Sequence, residues 1–408
     1  MTEKKIMKLF ADTAYVRTGG SPEERRCAEY LAQQCKDLGL QPVIEEFEVD
    51  MATMQEAMLT VDGKPVVCKG YLGSGCADIE AELFYLTDQT RQSLANCRGK
   101  IVLVDGYLGY WLYRDILENG AVGFITYDGN CNYADRNIDQ RELRSYVHKG
   151  EKLPGVNINA KDAVKLIAGG AKRAAIRLQQ EEYKGKSCNV IAELPGETDE
   201  WIVLTAHYDS TSLSQGAYDN MSGSVGLLGI AEAFLKKPHR FGLRFIWCGS
   251  EERGLLGAKA YVADHEEALK DVVLNINLDM IGCIMGKFIA CCTTEEALVG
   301  YIKYMGAELG FGVGPYQDVY SSDSTPFADR GVPAVSFARI APPNTASIHN
   351  SYDTKAVMSG KQMLRDIEFL VAFTGRMANA AVCPVERTIP DNMKDKLDIY
   401  LLRKRGNK

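Results

Sequence analysis

Apolar runs and helical segments alternate along the second half of the chain. Continuous apolar runs, typical of strands that are buried on both faces, lie at 201–206, 243–248, 272–278 and 333–337. Segments with the helical period follow them at about 222–236, 254–265, 293–310 and 360–381. Because strands that alternate with helices pair mostly in parallel, this pattern predicts an α/β fold, with a mostly parallel mixed sheet covered by helices on both faces.

A helix is also predicted near the start of the chain. Ser21 reads as its N-cap, Pro22 as its first helical residue and Glu24 as a capping-box glutamate, and Gly39 supplies a stop. The alternation of apolar and acidic residues at 43–49 predicts a half-exposed strand after it.

The stretch from about 53 to 183 has a different texture. Its apolar segments, such as 100–105 and 121–127, are short, strand-like and broken by glycines. None of them ends in a group of acidic, histidine or serine residues. The pattern therefore predicts a separate, small, β-rich α+β domain without chemistry of its own, while the tail 384–408 is expected to lie on the surface or to be partly free.

Composition narrows the class of protein. A length of 408 residues suggests two or three domains, and a net charge of −7 argues against a nucleic-acid surface. No apolar run is long enough for a membrane span, and the first residues lack a secretory pattern, so a cytoplasmic location is expected. The twelve cysteines form no C-x-x-C pair and are expected to be reduced. With only five histidines, a metal site would need mostly carboxylate or thiolate ligands.

Polar residues that can bind metals or move protons cluster where the predicted strands end. They are His207, Asp219, Glu251, Glu252, Asp279 and His349. In open α/β sheets, sites form outside the carboxyl ends of the strands, so these six side chains are expected at one edge. Each alone has a simpler explanation: Asp219 could be a turn residue, and the two glutamates could open a helix. Their shared edge favours a site.

Two imidazoles and four carboxylates are enough to hold two zinc ions, or other divalent ions. A carboxylate can bridge two ions about 3.5–4 Å apart, and Asp219 is the candidate bridge. His207 and Asp279 are assigned to the first ion, and Glu252 and His349 to the second.

Glu251 is left without a metal and stands beside a ligand. It is the candidate general base that accepts a proton from a metal-bridging water and later donates it to the leaving amine. Asp209, two residues after His207, is a candidate acceptor for the free imidazole N–H. The chain has no G-x-S-x-G, H-E-x-x-H or G-x-x-x-x-G-K-[ST] motif to favour another chemistry.

These residues resemble the signature of the co-catalytic dizinc aminopeptidases, a family that includes bacterial leucyl aminopeptidases, glutamate carboxypeptidase II and the transferrin receptor. The matching blocks are 206–210, 218–223, 250–254, 277–280 and 349–354. The resemblance implies the same ligands and base, and substrates that are peptides with a free N-terminus. It also implies that Glu251 and Asp279 help to hold the substrate ammonium group, and that Tyr320 is a candidate for stabilising the oxyanion.

Residues 98–128 resemble a protease-associated domain, which family members carry as an insert. The resemblance thus implies a discontinuous peptidase core at 1–52 and 184–383, interrupted by an insert at 53–183. Other activities of the same fold stay open, namely carboxypeptidase, dipeptidase or glutaminyl cyclase, as does a receptor-like binding protein without catalysis. A carboxypeptidase would need a cation for the terminal carboxylate, and Arg339 is the one candidate in the sequence.

Overall fold

The computed structural model describes residues 1–406 and divides into two compact units. The first unit combines residues 1–48 with the chain from 186 onward, and the second is the stretch 49–185. The sequence placed these boundaries at 52/53 and 183/184. Each boundary falls inside a long strand, Val43–Val61 or Arg173–Leu194, which continues from one unit into the other.

Helices and strands follow one another along the whole chain. Up to residue 168 they are α1 Glu3–Asp12, α2 Pro22–Asp37, β1 Val43–Val61, β2 Lys64–Val66, β3 Cys68–Gly70, β4 Ala77–Leu86, α3 Arg91–Ala95, β5 Ile101–Val104, α4 Tyr110–Glu118, β6 Gly123–Asp128, α5 Ser145–His148, β7 Gly155–Asn159 and α6 Ala160–Ala168. From residue 173 they are β8 Arg173–Leu194, β9 Trp201–His207, α7 Ser222–Phe234, β10 Gly242–Cys248, α8 Leu256–Asp264, β11 Val272–Leu278, β12 Lys287–Thr293, α9 Glu296–Glu308, β13 Val313–Gln317, α10 Ser324–Asp329, β14 Ala334–Ile340, α11 Gly360–Ala378 and α12 Asp391–Tyr400.

The first unit contains a mixed sheet in the order β13-β12-β14-β11-β9-β10-β8. Its four central strands, β14, β11, β9 and β10, run parallel, whereas β12 and β8 are antiparallel to their central neighbours. Residues 202–206 of β9 and all of β11 are buried, as expected for strands covered on both faces. The predicted α/β fold class is therefore confirmed.

Helix α7 packs unusually close to this sheet. A Cβ on Gly223 would lie 2.2 Å from the carbonyl oxygen of Leu278, and a Cβ on Gly226 would lie 2.7 Å from the side chain of the same residue. The glycine run 223–229 therefore serves helix–sheet packing, which places the start of α7 directly against the end of β11.

In the second unit the sheet strands follow the order β8-β4-β5-β6-β7-β3, in which residues 173–178 of β8 pair with β4. Strands β4 to β7 are parallel, and each outer strand, β8 and β3, is antiparallel to its neighbour. Separate apolar clusters pack on this sheet, one around Phe124 and Tyr113 and the other around Ile125 and Ile176. Within residues 1–406, no helix is long and apolar enough to cross a membrane.

Several elements differ from the sequence prediction. Helix α1 was not predicted, although its Phe10 is buried. The tail contains α12, which docks through the buried Met393 and Leu397. The polar or basic sequence around His148 and His239 predicts that both lie on the surface, but in the structure both are more than nine-tenths buried. Each imidazole Nδ1 has a local backbone partner 2.8 Å away, which makes this burial tolerable.

Candidate metal centre

The parallel central strands bring the predicted site residues to one edge of the sheet. His207 is the last residue of β9, Asp279 directly follows β11, and Glu251 comes three residues after β10. Asp219 lies in the turn Ala217–Met221 before α7, and its peptide bond to Asn220 is cis. His349 arrives in the loop after β14, in a left-handed backbone conformation.

Five of these side chains form two donor clusters that share Asp219. In the first cluster, Nε2 of His207 lies 3.2 Å from Oδ1 of Asp219 and 3.7 Å from Oδ1 of Asp279. In the second, Nε2 of His349 lies 3.0 Å from Oδ2 of Asp219 and 3.1 Å from Oε2 of Glu252. The ligand-capable atoms of each cluster all lie within 4.8 Å of one another. Asp219 thus offers one oxygen to each side, as a bridging carboxylate must.

The donor set fits two zinc ions. A tetrahedral ion with bonds of about 2.0 Å holds its ligand atoms about 3.3 Å apart, which matches the separations around Asp219. Oδ1 of Asp279 is buried and has no hydrogen-bond partner among the described residues. A buried carboxylate oxygen without a donor is costly unless a cation completes it, so the group is built for a divalent ion.

Exposure differs sharply between the two histidines. The side chain of His207 is 1% exposed, whereas that of His349 is 50% exposed. The first cluster is therefore enclosed, and the second opens to solvent on the His349 side.

Asp209 contacts residues of both clusters and the turn that carries Glu251 and Glu252. Its Oδ1 lies 3.3 Å from Nδ1 of His207 and accepts the backbone N–H of Glu251 at 3.0 Å. Its Oδ2 accepts the backbone N–H of Glu252 at 3.1 Å. One fully buried carboxylate thus lies next to an imidazole and binds the turn that carries both glutamates.

Glu251 belongs to neither donor cluster but lies beside the first. Its Oε2 is 3.9 Å from Nε2 of His207. Burial raises the pKa of Glu251 well above its usual value; His207 opposes this shift, and the neighbouring Glu252 adds to it. Glu251 therefore lies next to the first cluster, where its carboxyl group contributes no atom to either donor set.

The other site groups also have shifted pKa values. Burial opposes the charged imidazole of His207, but Glu251 and the other carboxylates around it raise its pKa well above the usual value. Burial and the charge of Asp219 raise the pKa of Glu252 to about 7. The pKa of Asp219 is far below its usual value, because hydrogen bonds and charge from His207 and His349 outweigh its burial.

Sequence reasoning missed two carboxylates of the site. Asp353 accepts the backbone N–H groups of Tyr218 at 2.7 Å and Asp219 at 3.1 Å, so it holds the shared ligand from behind. Asp323 is fully buried, and burial together with Asp279 raises its pKa to about 7. Asp353 lies in the matching block 349–354, and its place four residues after His349 was the available signal for it.

Tyr320, the candidate for stabilising the oxyanion, has a shifted pKa. Burial and the charges of Asp279 and Asp219 raise the pKa of Tyr320 far above its usual value, so its hydroxyl stays protonated near the clusters.

Arg339 lies in β14, is 8% exposed and bonds Asp366 through Nε at 2.8 Å and Nη2 at 2.5 Å. The sequence predicts a loop position for Arg339, after the apolar run 333–337, but the strand continues through Ile340, so this prediction was wrong. The guanidinium is already paired with a buried carboxylate.

Comparison with known proteins shows that the chain is similar to a family of peptidases and to individual aminopeptidases. The model of peptidase family M28 matches residues 189–373. Aminopeptidase YwaD of Bacillus subtilis is 27% identical over 361 residues, which cover 83% of this chain and 75% of that protein. Leucine aminopeptidase 2 of Trichophyton rubrum is 28% identical over 277 residues, 65% of this chain but only 54% of that protein's length.

Solved structures agree in fold along nearly the whole chain. The aminopeptidase from Aneurinibacillus sp. strain AM-1 superposes with a TM-score of 0.76 and 25% identity, covering 94% of this chain and 96% of its own. BSAP, a zinc aminopeptidase from Bacillus subtilis, superposes with a TM-score of 0.78 and 24% identity, covering 97% and 98%. The likeness includes residues 49–185 as well as the sheet that carries the clusters.

Proposed function

We propose that this chain, whose residues 189–373 match peptidase family M28, is a zinc aminopeptidase that releases the N-terminal residue of peptides at the two clusters joined by Asp219. The observation that carries the proposal is the shared carboxylate, which gives each cluster an imidazole and two carboxylate ligands. When bound, two zinc ions would supply Lewis-acid polarisation of the scissile carbonyl and lower the pKa of the attacking water.

The residues divide into ligands and proton carriers. His207, Asp279 and one oxygen of Asp219 would hold the first ion, and the other oxygen of Asp219 with Glu252 and His349 would hold the second. Asp209 keeps the ring of His207 in one orientation through its contact with Nδ1.

Glu251 moves the proton. It accepts a proton from the attacking water and donates it to the amine that leaves, so one residue serves both steps. The proposal is supported by its place outside both clusters and by the burial that raises its pKa. Tyr320 is the proposed donor to the oxyanion, since its hydroxyl stays protonated beside Asp279.

The charge of the site favours a substrate with a free amine. Glu251 and Asp279 are carboxylates at the same edge as the shared Asp219, and an N-terminal ammonium group is the part of a peptide that they attract. A carboxypeptidase needs instead a free cation for the terminal carboxylate, and Arg339 is paired with Asp366.

The insert predicted at 53–183 is proposed to be a protease-associated domain. The support is that residues 49–185 form a compact unit with its own apolar clusters.

The function is tested by replacing Glu251 with Gln and measuring turnover of aminoacyl chromogenic substrates together with bound zinc. Glu251→Gln should keep two zinc ions per chain and lower kcat by about 10³-fold or more, because the proton carrier is lost. Glu267→Gln, which changes an exposed glutamate paired with Lys270, is the control and should leave both quantities unchanged. Normal turnover by Glu251→Gln, or cleavage of N-acetylated substrates, would refute the proposal.

A further inference from the structure

Glu24 in the first turn of α2 has a second role beyond helix capping. One carboxylate oxygen, Oε2, accepts the backbone N–H of Gly20 at 2.6 Å, while Ser21 Oγ accepts the backbone N–H of Glu24 at 3.1 Å. This is close to the capping arrangement that the sequence predicted. The side chain is only 1% exposed, which capping alone does not require.

The other oxygen of Glu24 binds the turn that carries the proposed base. Oε1 accepts the backbone N–H of Ser250 at 2.7 Å, the hydroxyl of Ser250 at 3.1 Å and the hydroxyl of Ser187 at 2.9 Å. Ser250 directly precedes Glu251 and has a φ of 54°. A left-handed serine persists only where its surroundings hold it.

Three successive backbone N–H groups of this turn are bound by two buried carboxylates. Ser250 donates to Glu24, and Glu251 and Glu252 donate to Asp209. Without Glu24, the turn would keep the two hydrogen bonds that Asp209 accepts from the backbone N–H groups of Glu251 and Glu252. It would lose the hydrogen bond from the backbone N–H of Ser250, the residue before Glu251.

The chain packs closely around the turn that carries Ser250. A Cβ on Gly19 would lie 2.4 Å from Ser250 Oγ, and a Cβ on Gly249 would lie 2.9 Å from Oε1 of Glu24. The two glycines let the chain approach the carboxylate directly.

We propose that Glu24 is a positioning residue that holds the Ser250 backbone and thereby sets the place of Glu251 over the scissile bond. The inference rests on the proposed function, because it matters to turnover only if Glu251 carries the proton. A misplacement of a catalytic group by about 1 Å costs about 10²-fold in rate, so loss of this contact affects kcat more than KM.

The test compares Glu24→Ala, Glu24→Gln and Ser21→Ala by kcat, KM, zinc content and unfolding temperature. Glu24→Ala should lower kcat about 10–100-fold with KM within about threefold and zinc retained. Gln offers one acceptor oxygen where the carboxylate offers two, so Glu24→Gln should recover part of kcat. Ser21→Ala removes the cap of the same helix without touching Ser250, so it should lower the unfolding temperature and leave kcat unchanged.

The outcomes separate this inference from the proposed function. A kcat within twofold of wild type in Glu24→Ala, or a Ser21→Ala variant that loses as much kcat as Glu24→Ala, overturns the positioning role while leaving Glu251 untouched. If Glu24→Ala does not fold, Glu24→Gln decides, and a kcat within twofold of wild type overturns the proposal. If neither variant folds, Glu24 is a stability residue and the proposal also fails. Normal turnover by Glu251→Gln instead removes the proposed function itself.

Discussion

Replacing Asp353 with Asn should weaken zinc binding without changing the chemistry. Asp353 is fully buried and accepts the backbone N–H groups of both Tyr218 and Asp219. An amide keeps one acceptor oxygen and turns an NH₂ group toward the other N–H. One hydrogen bond to a buried carboxylate is then lost next to the ligand that both clusters share.

The expected loss of zinc affinity follows from that one hydrogen bond. A hydrogen bond to a charged group contributes about 1.5–3 kcal/mol, and losing the group behind a ligand costs about 10–100-fold in metal affinity. A tenfold change corresponds to about 1.4 kcal/mol, so the two ranges agree. Because Asp219 serves both clusters, the loss should appear in the affinity for both ions.

The assay is a zinc titration in chelator buffers, followed by the recovery of activity of the metal-free chain. Asp353→Asn should need about 10–100-fold more free zinc, and its kcat at saturation should stay within about threefold of wild type. Ser214→Ala is the matched control, since Ser214 Oγ contacts the same carboxylate at 3.3 Å but not Asp219. An unchanged zinc affinity, or a lower kcat in the fully loaded enzyme, would refute this reasoning.

Three further predictions concern stability. Arg339→Met leaves Asp366 buried without its cation and should lower the free energy of unfolding by about 3–5 kcal/mol in urea titrations; a loss below 1 kcal/mol would contradict it. Gly223→Ala should lower the unfolding temperature, because the added Cβ would collide with the backbone. Gly300→Ala, in the open part of α9, should raise the free energy of unfolding by about 0.5–1 kcal/mol. Equal effects of the two substitutions would contradict the packing argument. In the metal-free chain, buried acids such as Glu252, whose pKa is raised to about 7, bind protons more tightly in the folded state than in the unfolded state. The unfolding temperature should therefore fall as the pH rises from about 4.5 to 7. A rise of the unfolding temperature over that pH range would contradict this prediction.

The sheet and the location of the site could be predicted because their signals are local. Runs such as 272–278 are continuous and apolar, and Asp279 follows directly where the run ends. Parallel strands then bring such residues to one edge without any knowledge of distant contacts. The family and the enzyme class were confirmed, whereas the individual roles of the site residues and the cytoplasmic location stay predictions.

What could not be predicted depends on contacts between distant parts of the chain. Arg339 reads as a free cation until α11 brings Asp366 against it. Glu24 satisfies the local capping pattern, so nothing in its neighbourhood indicates that its second oxygen reaches Ser250. Asp353 follows His349 in sequence, yet its function depends on the backbone of Asp219, 134 residues earlier.

The division of the first unit into two stretches has a consequence for synthesis on the ribosome. The apolar face of α2, with Cys27 and Leu31, packs in the same cluster as Val190 and Phe245, which lie beyond the whole second unit. At about 5–20 residues per second, the ribosome takes about 7–30 s to make the stretch 49–185. During that time the second unit can fold from contiguous chain, while the first helices wait with their apolar faces uncovered. The apolar face of α2 therefore gains its packing partners only after the stretch from 186 onward has been made.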